Sequence, residues 1–139
     1  MANSSCGTTA LIGRILISQV FILAGINKFA HFSMMTGFLA AKSLPAPAFC
    51  LACAAVLEML AGIAVLIGFQ TKIAAWLLFL YVIPTTLLLH NFWAMQGTER
   101  MDSQVHFMKN LAIMGGLLLL ASFGPGGCSV DSKCAAKPA

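Results

Sequence analysis

Four long apolar runs constrain this sequence more than any other feature. They extend from Ala10 to Phe29, from Ala46 to Phe69, from Ile73 to Phe92 and from Val105 to Phe123. Each is close to the roughly 20 residues that a helix needs to span the hydrocarbon core of a bilayer. Backbone N–H groups in lipid must bond within the protein, and the runs lack the alternation of barrel strands. The sequence therefore predicts an all-α protein, a four-transmembrane-helix antiparallel bundle.

Composition agrees with lipid as the surrounding medium. Of the 139 residues, 60% are hydrophobic and only 9% are charged. A domain this small leaves much of its surface outside the core, so such an apolar excess requires a second apolar solvent. The net charge of +4 is spread thinly along the chain. Nucleic-acid binders concentrate basic residues on one face, so we predict a lipid bilayer as partner and no nucleic acid.

The loops divide the chain into two membrane sides within a single domain, residues 1–139. Side A holds both termini and the turn at Gly68, and side B holds the loops 31–45 and 96–104. Short connections favour antiparallel neighbours. Outside the bundle, lysine and arginine are slightly more frequent on side A than on side B. Because basic residues favour the cytoplasmic side, the termini are expected to be cytoplasmic. The segment 124–139 is expected to be a loose polar tail.

Glu58 is the most informative residue, because it lies near the middle of the second run. An ionised carboxylate there is costly unless it is paired, protonated or wetted. One interpretation is structural, an ion pair or a neutral acid hydrogen-bonded across helices. The other is a proton or ligand site. Counting the helical rise places Lys109 and Arg14 within reach, so we expect Glu58 to face inward and to meet one of them.

Further polar residues fall within the apolar runs and near their ends. Six of them are predicted to form a buried polar or ligand site: Arg14, Lys28, Glu58, His90, Lys109 and Asn110. Those near side B could line a cavity together with His106. The alternative is that long side chains at helix ends reach out to the membrane surface, which suits Lys28 and His90 better than Lys109. Tyr81 is too deep for an interface aromatic and is expected to pack or hydrogen-bond within the bundle.

Cys50 and Cys53 form a C-x-x-C at the beginning of the second run. An apolar setting raises thiol pKa and disfavours the reactive thiolate, so we expect two small buried residues that are dispensable for folding and for activity. The alternative is a redox-active pair that takes part in thiol exchange. Methionines and histidines near side B would suit copper. No pair of them has a dedicated ligand spacing, and no metal site is predicted.

Several short motifs, taken in their order and spacing, resemble the DoxX family of small bacterial four-helix membrane proteins. The motifs are Arg14 through Phe21, Gly25 to Lys28, Leu44-Pro45 followed by Glu58, Gly62 and Gly68, Thr71 to Ala75, His90 with Phe92, and Phe107 to Ala112 with Gly115-Gly116. The family usually has arginine where this chain has Lys72. The resemblance covers most of the chain and includes all six candidate site residues.

The resemblance implies a membrane subunit of a redox complex, linked to quinone or thiols, in the bacterial cytoplasmic membrane. A redox partner protein would then do most of the catalysis, because the sequence has no C-x-x-C-H and no dinucleotide glycine fingerprint. Quinone is the cofactor that this implies. The alternative is a small carrier or sensor for a proton, a metal or a small anion. Four helices are few for alternating access, so a carrier would require a homo-oligomer.

Overall fold

The structure, a computed structural model, describes residues 4–135, and within them all regular structure is helical. The helices are α1 (Ser4–Ala30), α2 (Phe32–Ala41), α3 (Pro47–Ile67), α4 (Thr71–Leu89), α5 (Gly97–Phe123) and α6 (Val130–Ala135). A 3₁₀ turn, Phe92–Ala94, joins α4 to the α5 segment. The predicted all-α class is confirmed.

Four helices of the described part are long and apolar enough to cross a membrane. They cover Gly7–Ala30, Pro47–Ile67, Thr71–Ala94 and Gly97–Phe123, which confirms the predicted four spans. The fourth begins at Gly97 instead of the predicted Val105, because the polar residues before Val105 continue the helix, with Glu99 in its first turn. Acidic side chains there face the positive end of the helix dipole.

Helix α3 packs closely against α1, and two glycines permit the approach. A methyl group added at Gly62 would lie 3.0 Å from Ile22 Cγ1, and one at Gly25 would lie 2.7 Å from Met59 Cγ. Small residues at such contacts let helix backbones approach in lipid, where association depends on packing. Helix α4 packs on the other side of α3, and α5 packs mainly against α4.

The loop 31–45 and the C-terminal tail are more ordered than the sequence predicted. The loop contains α2, which packs against α1 and α3 near side B. The tail was expected to be loose, but residues 124–135 fold back onto side A and include α6. The reason is that α4 has no side-chain cap from its own N-cap residue, Gln70, and the tail supplies one. Residues 136–139 of the predicted tail lie outside the described residues.

The turn at Gly68 sets the geometry of side A. Gly68 has φ +74°. The Phe69 N–H donates to the Ala64 carbonyl at 2.9 Å, and the Gly68 N–H donates to the Val65 carbonyl at 3.2 Å. This is the Schellman arrangement, in which a left-handed residue ends a helix. It brings the end of α3 directly to the start of α4, beneath the folded tail.

Candidate functional site

Glu58 lies inside the bundle and is 4% exposed. Lys28 Nζ donates to Glu58 Oε2 at 2.7 Å, and the Tyr81 hydroxyl donates to Glu58 Oε1 at 2.9 Å. The three side chains, which we call the triad, come from α1, α3 and α4. Both carboxylate oxygens are thus satisfied, one by a charge and one by a hydroxyl, as a buried carboxylate requires.

The prediction that Glu58 meets Lys109 or Arg14 is wrong, because its ionic partner is Lys28. Helix α1 packs directly along α3, whereas α5 packs mainly against α4, so Lys109 does not approach Glu58. The lysine stem lets the Lys28 ammonium reach inward from near the side-B end of α1, and its side chain remains 19% exposed. Sequence spacing gave the depth of these residues but not which helices are neighbours.

A cavity of about 460 Å³ borders the triad on the side-B half of the bundle. Lys28 and Tyr81 line it directly, and Glu58 is behind them. The other walls are apolar except for Thr85 and Cys50, and they come from α2, the following loop, α3 and α4: Met35, Phe38, Leu39, Leu44, Leu51, Ala54, Pro84, Leu88 and Leu89. Ligand sites commonly combine such apolar walls with a few convergent polar groups.

His90 and Asn110 belong to a second polar group, between α4 and α5. The His90 ring stacks on His106 with centroids 5.1 Å apart and planes 16° from parallel. One turn deeper, Asn110 Nδ2 donates to Thr86 Oγ1 at 2.9 Å. The structure therefore separates these residues from the triad.

Lys109 lies on the outside of the bundle, so its predicted place in the interior is wrong. It lines a shallow outer groove with Met108 and Val105. The inward face of α5 follows Ser103, Asn110 and Leu117 at intervals of seven. Because successive residues turn by about 100° around a helix, Lys109 points away from that face.

Arg14 forms a third polar place, at side A, and is 1% exposed. Its Nη2 donates to the Cys128 carbonyl oxygen in the folded tail. Nε and Nη1 have no hydrogen-bond partner among the described residues. Arg14 is thus far from Glu58 along the bundle, contrary to the sequence-based expectation.

Asp131 in α6 is a residue that the sequence reasoning missed. Its Oδ1 accepts from the Gln70 N–H at 2.8 Å, and its Oδ2 accepts from the Thr71 N–H at 3.0 Å and the Thr71 hydroxyl at 2.8 Å. Burial raises the pKa of Asp131, but these hydrogen bonds and the charge of Arg14 together hold the pKa below its ordinary value. The only signal in the sequence was an acidic residue among polar ones in the tail.

The cysteines of the C-x-x-C differ in exposure. Cys50 is half-buried and donates through Sγ to the Pro45 carbonyl at 3.3 Å, whereas Cys53 is exposed on the outside of α3. The expectation of two buried residues is therefore wrong for Cys53, and dispensability stays a prediction. Among the described residues, no three or more His, Cys, Asp or Glu side chains group as metal ligands would.

Four bilayer-length helices, three of which contribute to a lysine–glutamate–tyrosine triad centred on the buried Glu58, define a small polytopic membrane protein. The DoxX family model matches residues 9–91, and the chain belongs to the DoxX family. It is 34% identical over 123 residues to inner membrane protein YphA of Escherichia coli K12, covering 88% of each chain.

Two further relatives extend the comparison. The chain is 37% identical over 121 residues to inner membrane protein YqjF of the same bacterium, covering 87% of this chain and 88% of YqjF. It is 38% identical over 78 residues to ER-derived vesicles protein ERV29 of Saccharomyces cerevisiae, covering 56% of this chain but 25% of ERV29. No solved structure matches the chain.

Proposed function

We propose that this protein is a membrane subunit of a redox complex that binds a quinone headgroup in the cavity beside the triad. The observation that carries the proposal is the position of Lys28 at the wall of an otherwise largely apolar cavity. Glu58 accepts one of the three ammonium hydrogens and leaves two that can donate to a ligand, while Tyr81 gives its one hydroxyl hydrogen to Glu58 and helps to hold the carboxylate in place. A quinone presents an apolar ring with two carbonyl oxygens. Those oxygens need donors, and the ring needs apolar walls.

The triad suits proton delivery as well as binding. Reduction of a quinone to a quinol takes two electrons and two protons, and the electrons would come from the redox partner protein. The Lys28 ammonium and the Tyr81 hydroxyl each carry a proton next to the cavity, and Glu58 can accept or return one through either hydrogen bond. Lys28 is partly exposed, so water from side B can restore its proton.

The proposed location is the bacterial cytoplasmic membrane, with both termini on the cytoplasmic side. The names of the two Escherichia coli relatives, both inner membrane proteins, support the membrane. The slight excess of basic residues outside the bundle on side A supports the orientation. With this orientation, the cavity opens toward the periplasmic half of the bilayer.

Quinone binding by the purified full-length protein tests the proposal. We expect Lys28→Met to weaken binding of a short-chain ubiquinone, because it removes the ammonium donors at the cavity wall. Tyr81→Phe should weaken binding less, because the Tyr81 hydroxyl acts through its hydrogen bond to Glu58, which holds Lys28 in place. Lys109→Met is the matched control, since Lys109 is a lysine on the outside of the bundle. Binding should be measured by equilibrium titration in detergent. Equal affinities for all four proteins would contradict the proposal.

The second polar group supports a competing proposal, a proton carrier or sensor. His90 and His106 stack at the side-B end of the α4–α5 contact, and Thr86 and Asn110 extend the polar line inward. Histidine changes charge near neutral pH, as a proton site requires. Proton flux through liposomes that contain the protein, abolished by His106→Gln, would favour this function over quinone binding.

A further inference from the structure

Arg14 at side A is a buried cation that no described carboxylate contacts, although the charge of Asp131 acts on it from a greater distance. Its side chain is 1% exposed. Within residues 4–135, Nε and Nη1 lack hydrogen-bond partners, while Nη2 donates to a carbonyl oxygen. The only ion pair within 4.0 Å among the described side chains is Lys28–Glu58, so no described carboxylate touches Arg14. A buried guanidinium is costly unless its donors are satisfied. The site therefore has two unused donors and a positive charge suited to an anion.

The beginning of α4 is adjacent and is also complementary to an anion. Its N–H groups at Gln70 and Thr71, together with the Thr71 hydroxyl, all donate to the Asp131 carboxylate. The N-terminal end of a helix favours negative charge and binds phosphate in many proteins. Gly68 connects the two places, because the Arg14 guanidinium lies against its backbone and the Asp131 N–H donates to its carbonyl at 2.9 Å.

We propose that Arg14 and the N-terminus of α4 form a phosphate-binding site in which the Asp131 carboxylate acts as an internal substitute for the phosphate. A phosphate group has enough oxygens to accept from the α4 donors and from both unused Arg14 donors, whereas Asp131 uses the helix donors alone. Lys72 and Lys133, both exposed at the same end, add positive charge. The phosphate enters when residues 124–135 move aside.

The same phosphate chemistry is offered by an anionic phospholipid headgroup and by free phosphate. The site lies where α4 leaves the membrane, so both can approach it. Because ligand and Asp131 compete for the same donors, removing the Asp131 charge should raise phosphate affinity. We expect about a tenfold increase, the order of one charge-assisted hydrogen bond returned to the ligand.

Native mass spectrometry of the full-length protein in detergent tests this competition. Dioleoyl-phosphatidylglycerol, dioleoyl-phosphatidylcholine and inorganic phosphate are titrated into wild type, Asp131→Asn and the double variant Asp131→Asn with Arg14→Gln. Asp102→Asn is the control, because it removes an exposed carboxylate of α5 at the other end of the bundle. We expect only Asp131→Asn to gain affinity, and the Arg14 substitution to remove the gain.

Each outcome decides the proposal. A gain for phosphatidylglycerol alone assigns the site to a lipid headgroup, and a gain that includes inorganic phosphate assigns it to the free anion. No gain for either, or a gain that survives Arg14→Gln, overturns the site. If Asp131→Asn does not fold, a spin label on Cys134, with the other cysteines changed to serine, replaces it. Phosphatidylglycerol or phosphate must then increase label mobility, and an unchanged spectrum overturns the proposal.

Discussion

At the scale of single residues, Glu58 depends on partners from two other helices. Lys28 supplies the charge and Tyr81 supplies a hydroxyl, so each side chain of the triad fixes the position of the other two. A buried ion pair adds little net stability compared with apolar residues, but breaking it leaves one charge without compensation. The consequence is that single and paired substitutions should behave differently.

We expect Glu58→Gln to lower the free energy of unfolding by about 2 kcal/mol, because Lys28 loses its counter-ion while remaining partly able to reach water. Glu58→Gln combined with Lys28→Met should recover most of the loss, since no buried charge then remains. Denaturant titration in mixed micelles measures both. If the double variant is no more stable than Glu58→Gln alone, the uncompensated Lys28 charge is not the cause of the loss and this account is wrong.

At the scale of helices, the α1–α3 contact depends on glycine at Gly62. Larger side chains there must displace Ile22 and Phe21, whereas no atom of the described residues lies within 4 Å of a methyl group added at Gly115 on α5. We expect Gly62→Leu to destabilise the bundle by about 1–3 kcal/mol through overpacking. The matched control, Gly115→Leu, should be neutral or slightly stabilising. Thermal unfolding in detergent compares the two, and equal effects would contradict a close α1–α3 contact.

The attachment of α6 should depend on pH through Asp131. Its pKa is lowered in the folded state, so its contribution to stability is complete above the unfolded value, about 4. That contribution is lost as the pH falls through the lower folded value. We expect a spin label on Cys134 to become more mobile in that acidic range. In Asp131→Asn the label should be mobile at every pH, and a pH-independent, immobile label in wild type would contradict the attachment.

At the scale of the whole molecule, the two ends of the described chain meet. A methyl group added at Gly7 would lie 3.5 Å from Cys128 Sγ, and one at Gly126 would lie 2.6 Å from Ala10 Cβ. An even number of spans also returns the chain to the side on which it began, so both termini lie on the same side of the membrane. We expect Cys6 and Cys134 to react with an impermeant maleimide from the same face of sealed vesicles, the cytoplasmic one. Labelling from opposite faces would refute the topology.

The bundle was predictable from the sequence because lipid requires long apolar helices whatever their neighbours. The unusual residues were also visible, since a carboxylate such as Glu58 is costly in a bilayer wherever it pairs. The ionic partner of Glu58 could not be predicted. The rise along a helix gives the depth of each residue in the membrane, but only the packing order of the helices decides that Lys28, not Lys109, lies beside α3. Helix α6 was missed because a helix of six residues is too short to carry a periodic signal, and Asp131 acts only through the distant start of α4.

The Lys28–Glu58 pair also bears on how the chain enters the membrane. If α1 and α3 inserted one at a time, Glu58 would meet the bilayer centre without its ammonium partner, at a cost of a few kcal/mol. If they enter together as a hairpin, the charges neutralise each other before either helix faces lipid. Biogenesis of this protein should therefore proceed with α1 held at the insertion machinery until α3 has been synthesised.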